Sequence, residues 1–190
     1  MSDLADRRGV ETEVYQPAED SMLLADAAVA ELAADARVLE VGTGSGVVAE
    51  RVRDAGANVV ASDVNPHACR QARERGVPAV RADLVAPFRD GVFDAVLFNP
   101  PYLPEDPAAE RDDWMEVALT GGETGREVVE AFLDDVARVL APDGYVLLLV
   151  STLTGVEEVV AYAGDRGFSA VALRDESFPF ETLTVLKLVR

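Results

Sequence analysis

One cysteine, Cys69, one histidine, His67, and one lysine, Lys187, occur in 190 residues. A lone cysteine excludes an internal disulfide framework, and the single histidine leaves no Cys/His cluster for a metal, so none is expected. Such sparing use of thiols suits a reducing compartment, and a cytoplasmic location is expected. No apolar run reaches the roughly 18–20 residues that a membrane-spanning helix requires. The opening Met1-Ser2-Asp3-Leu4-Ala5-Asp6 is acidic and has no secretory apolar stretch. Repeats, low-complexity tracts and Ser/Gly linkers are also missing. Cations are scarce: 35 Asp and Glu against 17 Lys and Arg give a net charge of −18. Such a surface repels phosphate and argues against a direct nucleic-acid footprint. The acidic, lysine-poor composition resembles that of proteins from a salt-loaded cytoplasm, where the Debye length falls to about 3 Å at molar salt. The same screening weakens the electrostatic case against nucleic acid.

Apolar residues make up 49% of the chain, enough for one sizeable core. Residues 1–14 read as a polar N-terminal segment and 15–190 as a single domain. Short apolar runs alternate with helical stretches, the pattern of a parallel α/β sheet. Pro17 suits the first turn of a helix running through Met22, Leu23 and Leu24 toward Leu32. Strands are expected at 37–41, 58–62, 78–81, 93–98 and 145–150, with helices after the first, second and fifth. The third strand is short and proline-flanked, which suits a sheet edge. Asn65 fits a helix N-cap, Pro66 its first position and Gly76 its C′. Residues 103–123 read as a long polar connection containing Trp114. Thr124-Gly125-Arg126-Glu127 reads as a capping box with threonine at N-cap and glutamate at N3. Its helix carries apolar residues at helical spacing from Val128 to Leu140, and Pro142-Asp143-Gly144 is a turn. Two final strands, near 169–175 and 181–189, flank the tight Phe178-Pro179-Phe180 link and are expected to be antiparallel.

Four strand ends carry candidate chemistry. Glu40 and Val41 end the first strand, and Gly42-Thr43-Gly44-Ser45-Gly46 follows it. Its glycines let backbone approach a ligand, and the following helix offers free N–H donors. A dinucleotide fingerprint would need glycine at Val47, three residues after Gly44, and this chain departs from it. Asp63, ending strand two, can accept from ribose hydroxyls, and Asp83-Leu84 after strand three can hold an adenine amino group and ring. All converge on the crevice where open α/β sheets bind ligands. Asn99-Pro100-Pro101-Tyr102 follows strand four. The Asn99 side-chain oxygen and the Pro100 carbonyl can each accept one N–H of a planar NH2 group, while Tyr102 stacks beside it.

These motifs together resemble the HemK-like protein-glutamine methyltransferases. Val14-Tyr15-Gln16-Pro17-Ala18-Glu19-Asp20-Ser21 resembles their V-Y-x-P-A-E-D-[ST] entry segment, Asp63-Val64-Asn65-Pro66 their D-[IV]-N-P, and Gly121-Gly122 with Gly125-Arg126-Glu127-Val128 their G-G-x-x-G-R-E-V. The resemblance runs from about residue 13 to the C-terminus. It points to the short archaeal and eukaryotic branch, which acts on the Gly-Gly-Gln glutamine of class I release factors. It implies a Rossmann-like class I fold dependent on S-adenosylmethionine (SAM): a mostly parallel seven-stranded sheet with an antiparallel C-terminal strand and helices on both faces.

The resemblance further implies cofactor contacts from Ser21, Glu40, Gly42, Gly44, Gly46, Asp63, Val64, Asp83, Leu84 and Asn99, with Tyr15 and Pro17 over the methionine end. Asn99 and Pro100 would grip the glutamine amide in the Asn99, Pro100, Pro101, Tyr102 corner. A small zinc-binding activator subunit is implied beside edge strand three, about residues 78–82, by β-augmentation. Relatives often have Trp-Ala before the Gly-Gly pair, where this chain has Leu119-Thr120. The residues alone leave open an adenine-N6 amino-methyltransferase, a protein-lysine methyltransferase and a non-catalytic scaffold bound to a partner.

Overall fold

Alternation along each strand divides the core in two. Val38 turns to one face of the sheet and Leu39 to the other; Ala95 and Leu97 oppose Val96 and Phe98 in the same way. The computed structural model describes residues 14, 19–103 and 114–190. Its elements are α1 (Glu19–Glu31), β1 (Arg37–Val41), α2 (Val47–Asp54), β2 (Asn58–Asp63), α3 (Pro66–Glu74), β3 (Ala79–Arg81), β4 (Phe93–Phe98), α4 (Trp114–Leu119), α5 (Glu127–Val139), β5 (Leu140–Ser151), α6 (Val156–Asp165), β6 (Ser169–Ser177) and β7 (Thr182–Val189). Among the described residues one seven-stranded sheet runs in the order β3-β2-β1-β4-β5-β7-β6. Pairings from β3 to β5 are parallel, and β7 is antiparallel to both neighbours, as expected. Helices α1–α3 cover one face and α5 and α6 the other. The order reverses between β1 and β4, so their carboxyl ends open the crevice that binds ligands in such sheets.

The expected punctuation holds around α3. Asn65 Oδ1 accepts from the His67 N–H at 2.9 Å, Pro66 opens the helix, and Gly76 follows the Arg75 C-cap at φ +79°. β3 is the edge strand. Three features differ from the sequence reading. The 103–123 connection contains α4, and its ends are tied by a bridge between Leu103 and Thr120. Strand β5 starts at Leu140, paired with Phe93, and the Pro142-Asp143-Gly144 turn is a bulge before Tyr145 pairs with Ala95. The box ahead of α5 forms only by half. Glu127 reaches back to the Thr124 N–H at 3.0 Å, but its own N–H goes to the Gly121 carbonyl, so the N-cap is Arg126, not Thr124. Among the described residues no helix is long and apolar enough to cross a membrane.

Gly46 has φ +82°, and a Cβ there would lie 2.8 Å from Ala72 Cα, so α2 and α3 pack through this glycine. Gly46→Ala combines left-handed strain with overpacking and should lower unfolding free energy in urea by roughly 2–5 kcal/mol. A loss below about 1 kcal/mol would show that the two helices move apart freely.

Candidate active site

The carboxyl ends of β1, β2, β3 and β4 surround a cavity of about 230 Å³. Glu40, Gly42 and Gly44 line it from β1 and its turn, Asp63 and Val64 from β2, Asp83 and Leu84 after β3, and the whole Asn99–Tyr102 corner after β4. Ser21 enters from α1 and is buried. The sequence-derived set is therefore gathered at one place, with three exceptions. Gly46 stands behind the cavity as a helix-packing glycine and does not line it. Tyr15 and Pro17 lie outside the described residues.

Local chain geometry explains the gathering. A Cβ on Gly42 would meet the Phe98 ring at 3.3 Å, so glycine allows the first turn to close against the end of β4. Asp63 clamps that turn: its carboxylate accepts the Gly44 N–H at 2.9 Å and the Asn65 N–H at 2.8 Å. A carboxylate has about four acceptor sites, which leaves capacity for ligand hydroxyls. Leu84 holds φ +47°, a conformation rare for a branched side chain, right at the cavity wall.

Buried acidity dominates the electrostatics. Glu40 is almost wholly buried and accepts from the Thr43 hydroxyl. Burial pushes its carboxyl up to about 8, against the Thr43 hydrogen bond, with the Asp63 charge adding to the rise. Burial also raises Asp63, opposed by the N–H groups it accepts. The acceptor corner is different. Asn99 Oδ1 is buried and has no hydrogen-bond partner among the described residues.

Sequence reasoning assigned no role to several other lining residues. Asp20, Thr43 and Ser45 add polar groups, while Trp114 and Val117 of α4 form an apolar stretch of wall. Asp20 stood inside a quoted motif. The α4 residues carried no local signal, because the Leu103–Thr120 tie, between residues far apart in the chain, brings them back over the cavity.

A family profile described as a methyltransferase domain matches residues 39–100, which span β1 to the start of the acceptor corner. A Methanocaldococcus jannaschii protein named "Putative protein N5-glutamine methyltransferase MJ0928" is 35% identical, over 94% of this chain and 92% of its own length. Methyltransferase HEMK2 of Homo sapiens is 34% identical over 96% of this chain and 92% of its own. The chain belongs to the HemK-like protein N5-glutamine methyltransferases. It is accordingly an S-adenosylmethionine-dependent enzyme of class I fold. Mtq2 of E. cuniculi, solved in complex with Trm112 and described as responsible for methylation of the eRF1 termination factor, superposes with a TM-score of 0.80 at 34% identity. That match covers 94% of this chain and 99% of Mtq2.

The residues present fit SAM. Glycine backbone at Gly42 and Gly44 gives close approach, Asp63 keeps acceptor capacity, and the acidic side chains of Asp20, Asp63 and Asp83 along the wall suit a positively charged sulfur.

The raised Glu40 carboxyl sets a pH dependence. Between about 4.5 and about 8 the folded state holds this proton and the unfolded state does not. Glu40 therefore makes stability fall as pH rises through that window, by up to about 1.4 kcal/mol per unit, and contributes no slope above it. Urea unfolding of the SAM-free protein from pH 6 to 8 should show this slope, and Glu40→Gln should flatten it. Equal slopes in both proteins would remove Glu40 as the source.

Proposed function

We propose that the protein methylates the side-chain nitrogen of the glutamine in the Gly-Gly-Gln motif of a class I release factor. The observation that carries this reading is the buried, unpartnered Asn99 Oδ1 beside the SAM cavity. An unsatisfied buried acceptor costs about 1–3 kcal/mol, and a ligand N–H removes that cost. The neighbouring Pro100 carbonyl is a second acceptor, and together they match the two N–H bonds of a carboxamide. Tyr102, buried in the wall, limits the space beside them. The description of Mtq2 as acting on eRF1 supports a release factor as the substrate.

SAM supplies a methyl group on a positively charged sulfur, a leaving group that needs no acid. The chain's remaining task is to position a poor nucleophile. An amide nitrogen has its lone pair delocalised; acceptors on both N–H groups fix the orientation of that lone pair and favour positive charge as it grows on nitrogen. No strong base is needed before transfer, because the methylated cation loses its proton readily to water. The single histidine, His67, lies in the first turn of α3 and is not among the cavity-lining residues.

Asn99→Ala should lower kcat by roughly 10²–10³-fold on a release factor while SAM affinity by calorimetry stays within a few-fold. Turnover close to the parent would sink the amide-clamp reading. The substrate arm compares intact release factor, the same protein with Gln→Lys in the motif, and an adenine-containing oligonucleotide. Methylation of only the first is expected.

The activator subunit belongs to the same proposal. In β3, the Pro78 carbonyl and the Ala82 N–H bond to β2 at 2.8 and 3.0 Å. By the alternation of a parallel ladder, the N–H and C=O groups of Ala79 and Arg81 point to the open edge. Arg73 already occupies the Ala79 carbonyl. The Ala79 N–H and both Arg81 groups remain for an added strand, with Val80 exposed beside them. The pairing of Mtq2 with Trm112 supports a small partner of this kind. Ala79→Pro deletes an outward N–H without touching the β2 ladder. It should leave the thermal midpoint of the lone chain nearly unchanged and abolish co-purification with a co-expressed Trm112-type subunit. Undiminished co-purification would place the partner elsewhere.

A further inference from the structure

The Gly121–Glu127 turn is not used by any step above, yet it abuts the acceptor corner. A Cβ on Gly121 would lie 2.6 Å from the Pro101 carbonyl oxygen and 2.5 Å from that of Gly125, so no side chain fits. Hydrogen bonds run through the same residue in both directions. Its N–H donates to the Leu103 carbonyl at 2.9 Å, next to Tyr102, and its carbonyl accepts the Glu127 N–H at 3.0 Å, at the start of α5. Helix α5 is itself immobilised by buried Val129, Phe132 and Leu133, with the Phe132 ring centroid 4.6 Å from that of Phe98. A continuous path of contacts thus leads from the core through α5 and Gly121 to Pro101, two residues beyond Asn99.

We infer that this turn is the stop against which the acceptor corner is set, and that Gly121 is a positioning residue for the methyl acceptor. The inference rests on the reading of Asn99 as the amide clamp. A methyl group at position 121 must displace backbone on both sides, because neither contact is the end of a flexible side chain. Relieving a 2.6 Å contact requires a movement of several tenths of an ångström, and a misplacement near 1 Å costs about 10²-fold in rate. The cofactor groups on β1 and β2 lie outside that path. Gly122 provides a comparison within the same turn. It has φ +92°, and a Cβ there would collide with the Glu127 carboxylate, with no Pro101 atom among its three nearest neighbours.

The experiment measures kcat, acceptor KM, SAM affinity and thermal midpoint for the full chain with its activator subunit, as parent, Gly121→Ala and Gly122→Ala. Gly121→Ala should lower kcat about 10- to 100-fold with acceptor KM and SAM affinity within about threefold. Gly122→Ala should lose at least as much thermal stability yet keep kcat within about threefold of the parent. Equal losses of kcat in both variants, or none in Gly121→Ala, would overturn the inference by making the turn a general support for folding. Should Gly121→Ala fail to fold, amide exchange in the parent decides. The Gly121 and Glu127 N–H groups should exchange more slowly once acceptor peptide is bound with the demethylated cofactor, and unchanged exchange would overturn it. Active Asn99→Ala sinks the amide clamp itself; inactive Asn99→Ala with an active Gly121→Ala sinks only the role of the turn.

Discussion

An amide oxygen buried without a partner is the constraint from which the architecture of the site follows. Asn99 Oδ1 loses hydration and gains nothing inside the chain, a cost of about 1–3 kcal/mol. It persists because everything around it is held elsewhere. Strand β4 is sandwiched between β1 and β5, Phe98 packs on Phe132, and two prolines fix the backbone that follows. A ligand that donates an N–H repairs the defect, and one that does not leaves it standing. Sites built to hydrogen-bond a substrate reject analogues lacking the donor far more strongly than apolar pockets reject extra bulk.

The scarcity of lysine acquires a structural meaning once the arginines are located. Arg53, Arg73, Arg75, Arg81, Arg126 and Arg138 each donate to a backbone carbonyl outside regular structure or at a strand edge. Arg138 alone spans the Val85 and Phe88 carbonyls and the Asp90 and Asp135 carboxylates. A planar fork with five donors can tie loop carbonyls and acids at once, and a lysine ammonium lacks that geometry. In a chain of net charge −18, cations serve as loop clamps. Short hydrogen bonds of this kind survive salt that screens longer-range attraction.

Legibility in the sequence followed the range of the interactions involved. Strands β1, β2 and β4 were readable because burial on both faces leaves a short apolar run inside each (Val38-Leu39, Val59-Val60-Ala61, Ala95–Phe98), and the α3 caps because Asn65, Pro66 and Gly76 act within a few residues. The cavity residues were readable because they sit directly at strand ends. Part of what escaped depended on distant chain. Thr124, by contrast, lost the cap to a near neighbour, Gly121, whose carbonyl takes the Glu127 N–H. Gly46 has the spacing of a ligand glycine, but Ala72, 26 residues on (72 − 46), claims the space beside it. Helix α4 was hidden because its return over the cavity depends on Leu103 meeting Thr120.

The two halves of the cavity differ in charge. Asp20, Glu40, Asp63 and Asp83 all line it, and at Glu40 burial and the nearby Asp63 charge both favour the protonated form. Such a set is stabilised by a cation and by hydroxyl donors, the features of SAM. Once its methyl group is gone the sulfur is neutral, and these acids favour the spent cofactor less than the fresh one. The acceptor corner carries no charge: Asn99, Pro100, Pro101 and Tyr102 line the cavity there, and the proposed clamp is an amide oxygen and a peptide carbonyl. Two neutral acceptors match the two donors of a carboxamide. An ammonium brings three donors and a full charge, which this corner leaves partly unmet. Acidic residues on the cofactor side and neutral acceptors on the other therefore favour a charged donor and an uncharged nitrogen meeting in one cavity.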